Sequence, residues 1–237
     1  YWNPASLSKL GHSGQVGAMH NENFGGLSKF DYIGFAFCGK DSSAIGISYV
    51  RFAVDDIPNT LDLIDENGNV RYDRISTFSV NDNAVFISLA RKSPIKNLNL
   101  GANVKIIRRV VGKFASSWGF GIDLAATYKY KTWLMAANLK DATSTYNAWK
   151  FNTETFEETF LLTGNEIPKN SVELTMPKLT LGLAKSVSFL KHFTLLAEID
   201  ADITTDGKRN VLVKTNVVSI DPKCGIELTF KNIVYAR

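Results

Sequence analysis

The chain has 237 residues, enough for one large or two small domains, and 45% of them are hydrophobic against 21% charged. A formal net charge of +4, scattered along the chain, argues against nucleic acid as a partner. No run approaches the roughly 20 apolar residues of a membrane helix, and no signal peptide is visible at Tyr1-Trp2-Asn3-Pro4, which leaves a processed form open. Cys38 and Cys224 belong to no motif, so neither a disulfide between them nor a redox compartment follows.

Taken in chain order, the dominant signal is alternation of apolar and polar residues, the signature of a strand with one face of each kind. A first strand is expected near 12–20, and weaker alternation runs through 30–38, 43–53 and 84–91. Asn97 to Ile106 sets Leu98, Leu100, Ala102, Val104 and Ile106 against Asn97, Asn99, Asn103 and Lys105. Phe120 to Lys131 is the clearest case, with Phe120, Ile122, Leu124, Ala126, Tyr128 and Tyr130 opposite Gly121, Asp123, Ala125, Thr127, Lys129 and Lys131. Further strands are expected over 132–139, Leu179–Val187, Phe193–Thr204, 210–218 and Ile226–Lys231. The total is roughly eleven strands, with no convincing amphipathic helix.

Strand length and loop sorting favour a membrane barrel over a soluble sandwich. Several strands reach the 9–11 residues or so of a tilted membrane-spanning strand, beyond the usual mode of about 5–6. Charged side chains sit in mid-strand on the polar face, where a wet lumen would accommodate them. Longer connections near 20–28, 54–83, 111–117, 140–176 and 204–210 alternate with tight ones near 39–43, 92–97, 130–132, 187–192 and 219–223. In an antiparallel sheet this places all the longer ones at one end, as in an outer-membrane barrel. The apolar face of 120–130 is therefore expected to meet lipid, with Tyr128, Tyr130 and Trp133 at an interfacial girdle; core residues of a soluble barrel are the alternative.

Residues that carry chemistry are sparse. His12, His20 and His192 have no partner at metal-ligand spacing, and no hydrolase, metalloprotease or phosphate-loop motif occurs. Asp206-Gly207 and Glu66-Asn67-Gly68-Asn69 are turn signals, the second suggesting a small hairpin within 54–83. Glu198, Asp200 and Asp202 form a carboxylate ladder, successive members about 7 Å apart. It reads as a wet lumen face, a cation or acidic-gate element, or catalytic carboxylates. No nucleophile or positioned histidine accompanies it, which favours the first. Lys105, Asp123, Lys129, Glu198, Asp200, Asp202 and Glu227 are the candidate lumen-facing residues. No catalytic residue, metal or cofactor is expected.

Several segments together resemble one family. YWNPASLSKL is similar to a segment near the amino end of the PorV/PorQ family, FadL-like outer-membrane barrels of Bacteroidota. LKDATSTYNAWKFN (139–152), TGNEIPKNSVELTMPKLTLGLA (163–184), AEIDADITTDGKRN (197–210) and VSIDPKCGIELTFKNIVYAR (218–237) resemble later segments in order and spacing. The resemblance implies a single-domain antiparallel transmembrane β-barrel of FadL-like type spanning 1–237. The family pattern has fourteen strands, which implies a chain incomplete at both ends. It also implies the outer membrane of a Gram-negative bacterium of the Bacteroidota and, for members in type IX secretion, non-enzymatic binding of protein partners in export or surface attachment.

The expected partners are thus other outer-membrane or secretion-machinery proteins and the lipid bilayer or detergent, not nucleic acid. Long outer loops near 54–83 and 140–176 would carry the contacts, with Trp149, Phe151, Phe156 and Phe160 as candidate partner-binding residues. A loop folded over its own barrel mouth is the alternative for these aromatics. For the whole protein the alternative is a FadL-like passive transporter of hydrophobic small molecules, which would need an apolar lumen.

Overall fold

The alternating stretches fold as antiparallel strands, most of them paired with their neighbours in the chain. The computed structural model describes residues 2–10, 14–39, 43–65, 67–190, 192–231 and 233–237. After a 3-10 segment, Pro4–Lys9, come β1 (Gly14–Asn23), β2 (Ser28–Cys38), β3 (Ala44–Asn59), β4 (Ser76–Lys92), β5 (Leu98–Val111), β6 (Ala115–Tyr130) and β7 (Trp133–Lys140). Then follow β8 (Thr145–Phe151), a short α1 (Glu157–Leu162), β9 (Ser171–Thr175), β10 (Lys178–Phe189), β11 (Phe193–Thr204), β12 (Val213–Lys214), β13 (Ser219–Phe230) and β14 (Val234–Ala236). The main order is β1-β2-β3-β4-β5-β6-β7-β10-β11-β13, with β12 and β14 on the far edge of β13. Among the described residues no pairing joins β1 to that far edge. No described helix is long and apolar enough to cross a membrane.

The middle of the sheet departs from a simple meander. The β6 strand pairs with β7 along Leu124–Tyr130 and with β8 along Ala115–Phe120. β9 continues β8's partnership where β10 continues β7's. Thus β7–β8 and β9–β10 are two long strands, interrupted at 141–144 and 176–177. Asp141 and Ser144 take left-handed backbone angles (φ 54° and 60°), uncommon for residues other than glycine, and the extra residues they accommodate turn the Asp141 side chain inward.

This corrects the sequence reading in four places. The expected long loop 140–176 contains β8 and β9, and only 152–170 connects them. The expected strand over 210–218 reduces to Val213–Lys214, because 205–212 and 215–218 are loop. The expected tight turn at 219–223 lies inside β13. The connections expected near 20–28 and 111–117 are the tight turns 24–27 and 112–114. Long connections do all fall at one end, hereafter the loop end, but there are three: 60–75, 152–170 and 205–218. In 60–75, Ile64 bridges Val70 around Gly68, whose φ is 78°. Hydrogen bonds from the Asn69 and Asn67 amides hold the Asp65 carboxyl below the usual carboxylate range. Glu66 of that turn, His12 and Ser13 before β1, and residues 40–42 of the β2–β3 turn lie outside the described residues.

Burial is inverted relative to a water-soluble domain. The largest fully buried side chains are Asn103, Thr145, Pro4, Ser117 and Ser219. Among the described residues, the buried hydrophobic ones apart from Phe156 are all alanine. Large apolar side chains are exposed instead, among them Phe35, Ile47, Ile87, Leu100, Phe120, Leu124, Leu183, Ile199 and Ile226. Registers align them across strands: Ile33, Tyr49, Val85, Ile106, Phe120 and Tyr146 form one outward row. The inner face carries Ser88, Asn99, Asn103, Lys105, Asp123, Thr127 and Asn138, all buried. Against it packs the amino-terminal segment, which touches β2 through β6. Asn3 caps that segment through the Ala5 amide at 3.0 Å, and the Asn138 amide donates to the Trp2 carbonyl at 2.7 Å. Cys38 faces inward, with its sulfur 3.8 Å from the Leu7 carbonyl, whereas Cys224 lies on the outward face of β13; both are free thiols.

Candidate functional site

The inner face holds two charged clusters. In the first, the Lys105 ammonium lies 2.8 Å from Asp123 and 2.5 Å from Asp141, with all three side chains largely withdrawn from solvent. The Asp141 amide donates to Asp123 at 2.9 Å, and the Thr145 hydroxyl donates to Asp141. A lone buried ion of either sign would be costly; here the interrupted strand brings a second carboxylate to the lysine.

The second cluster centres on the carboxylate ladder. Asp202 accepts from Lys223 at 2.7 Å, Lys178 at 3.1 Å and Thr180 at 2.5 Å. Glu198 and Asp200 share its face, as the register with β10 and β13 requires, and make no ion pair among the described residues. Together with Asn138, Lys140 and Trp2 they border a cavity of about 350 Å³. Lys140 stacks over the Trp2 ring at 4.8 Å. Glu227 lies on the same face and pairs with Arg237 at 2.6 Å. Lys129 has inner-face parity but is exposed at the short-turn end of β6. No group of described residues is arranged to hold a metal ion. His20 is exposed beside Asp31 and Glu22, and His192 stands edge-on to Phe230.

At the loop end the inner face turns apolar. Pro58, Leu61, Phe78, Val111, Phe114, Trp149, Phe151, Phe156, Phe160 and Pro168 line a cavity of about 500 Å³. All four aromatics expected on a partner-binding loop are in this lining. Trp149 and Phe151 lie on β8 and stack with ring centroids 6.2 Å apart, while Phe156 and Phe160 fold over the cavity, 4.8 Å apart. Phe114 contacts Phe78 edge-on at 5.0 Å and reaches Phe156 at 6.5 Å. Glu173 fixes the Trp149 indole through its N–H at 2.8 Å and also pairs with Arg109, itself bound to Asp82. The sequence reading missed Phe78 and Phe114. Phe78 lies at the tip of β4, where apolar side chains pass to the inner face, and Phe114 lies in the 112–114 turn, where alternation gives no signal.

The aromatics and Pro168 thus anchor the 152–170 loop, and two of its leucines are left outside. Leu161 and Leu162 are exposed, the latter by 82%, and so are Ile64 and Tyr72 of the 60–75 loop. The two loops touch through the Thr159 hydroxyl and the Leu61 carbonyl at 3.5 Å.

No family model, curated protein or solved structure matches this chain.

Proposed function

We propose that this chain is a transmembrane antiparallel β-barrel of the FadL-like type in the outer membrane of a Bacteroidota bacterium, a non-enzymatic member of the PorV/PorQ family that binds protein partners in export or surface attachment. The observation that carries the reading is the inverted burial: polar side chains inside, and a continuous outward field of Phe, Ile, Leu and Val. In water such a field would be an aggregation surface far beyond the few hundred Å² or so usual for a monomer; in lipid it is the expected outer wall. The segment resemblance adds the family, and the exposed apolar residues of the two touching loops supply a surface for a protein partner.

Two substitutions test this. Leu124→Arg, at an outward position of β6, should cost about 2–4 kcal/mol of stability in vesicles, the range for arginine near a bilayer midplane. A near-zero change, measured by denaturant titration of the reconstituted protein, would mean that Leu124 does not meet hydrocarbon. The double variant Leu161→Glu/Leu162→Glu should abolish co-purification of secretion-machinery proteins in mild detergent. Both side chains are exposed, so heat-modifiable mobility should survive. Undiminished co-purification would remove the loop from the contact.

The apolar cavity favours a second reading, the passive transport of hydrophobic small molecules, since its size and lining suit one such ligand. Below it the inner face is occupied by the amino-terminal segment and the Lys105 cluster, which interrupt an apolar path. Uptake of a fluorescent fatty acid lost on Phe156→Asp, with partner capture intact, would transfer the case to transport.

A further inference from the structure

Where β5 turns into β6, three cations converge on one outward pocket. Arg108 of β5, Lys113 of the 112–114 turn and Lys150 of β8 line a cavity of about 380 Å³ with Ser116 and Asn152, and no carboxylate borders it. The contrast with neighbouring charges is sharp. Arg109, one residue on, points inward and is neutralised by Asp82 and Glu173. Arg51, on the same outward row as Arg108, is held by Asp31 and Asn81. Arg108, Lys113 and Lys150 enter no ion pair among the described residues.

Register fixes where this pocket lies. Arg108 pairs with Trp118 and Ser116 with Lys150, so Arg108 and Lys150 share the outward face with Trp118 and Phe120. The Arg108 guanidinium stacks 5.0 Å from the Trp118 ring centre and donates to the Ser117 carbonyl at 3.2 Å, which orients the fork before any ligand arrives. Directly below, towards the short turns, come the exposed Ile106, Phe120 and Tyr146. A tryptophan between cations and an apolar wall is the layering of a membrane interface.

We propose that this pocket binds the phosphate-bearing headgroup of an anionic membrane lipid, its acyl chains lying along Ile106, Phe120 and Tyr146. The proposal rests on the membrane reading above. Guanidinium and ammonium donors give charge-assisted hydrogen bonds to phosphate oxygens, and the adjoining apolar track selects a lipid over a free anion.

The test uses the full chain in detergent and in vesicles. Flotation with phosphatidylcholine vesicles checks insertion alone, and a wild-type protein that fails to float would overturn the membrane reading itself. Native mass spectrometry then compares retention of phosphatidic acid with that of phosphatidylcholine. The wild type should prefer phosphatidic acid by about tenfold or more, as the net gain of one or two charge-assisted contacts implies. Arg108→Gln/Lys113→Gln/Lys150→Gln should lose the preference while floating and retaining heat-modifiable mobility. An unchanged preference in the variant, or no preference in a wild type that floats, overturns the site. Displacement of phosphatidic acid by millimolar inorganic phosphate would show a soluble-anion site and equally overturn the lipid assignment.

Discussion

Replacing Lys105 by methionine should destabilise the protein by about 3–5 kcal/mol, the range for breaking a buried ion pair from one side. The lysine side chain is 8% exposed and Asp123 5%, so the carboxylates left behind cannot recover their charge stabilisation from bulk water. Asp141, on the interrupted strand, loses the same partner. Asp123 keeps the Asp141 amide and, at 3.4 Å, the Asn103 side-chain amide as donors, and Asp141 keeps the Thr145 hydroxyl. Those bonds soften the loss without cancelling it. Denaturant unfolding of the vesicle-refolded variant measures the cost. Adding Asp123→Asn and Asp141→Asn to Lys105→Met should recover a large part of it, because the penalty lies in unpaired charge and not in lost volume. A loss below about 1 kcal/mol, typical of exposed pairs, would mean that the cluster is wet.

The second large effect is expected at Gly101, on the inner face of β5. A β-carbon there would fall on the backbone of Pro4 and Ala5, atoms that cannot rotate away as a side chain can. Gly101→Val should therefore drive the amino-terminal segment off the sheet, with an overpacking cost of about 1–3 kcal/mol. Cys38 reports on this directly, since its thiol faces Leu7 when the segment is seated. Maleimide labelling of Cys38 should accelerate in Gly101→Val, and added protease should remove residues of the segment. Gly225→Ala is the matched control, because nothing lies within 4 Å of the position its β-carbon would occupy. Unchanged labelling in the valine variant would show that β5 yields while the segment stays.

Much of this was legible in the sequence because strand parity is a local property. Along Phe120–Tyr130 the residues themselves state which side chains share a face, and the outward exposure of Phe120 and Leu124 with burial of Asp123 and Thr127 follows that parity. The ladder Glu198, Asp200 and Asp202 likewise occupies one face with Glu227. Alternation could not reveal β8 and β9. Thr145–Phe151 and Ser171–Thr175 are short, and the left-handed residues between β7 and β8 break the period that would have joined them.

By itself, then, the sequence determined an antiparallel all-β chain, the two unlike faces of its strands and the gathering of long connections at one end, because each depends only on spacing along the chain. The tertiary structure alone decided which charges meet. Lys105 faces Asp123 through the β5–β6 register, and Asp141 joins them through an irregularity no period encodes. It also decided that Trp149, Phe151, Phe156 and Phe160 turn into a cavity instead of out to solvent, and that Trp2 ends beside Asn138. The physical reason is common to all of these. Alternation leaves register free in steps of two residues, and the choice among registers is made by contacts between segments distant in the chain, whose energies no local window contains.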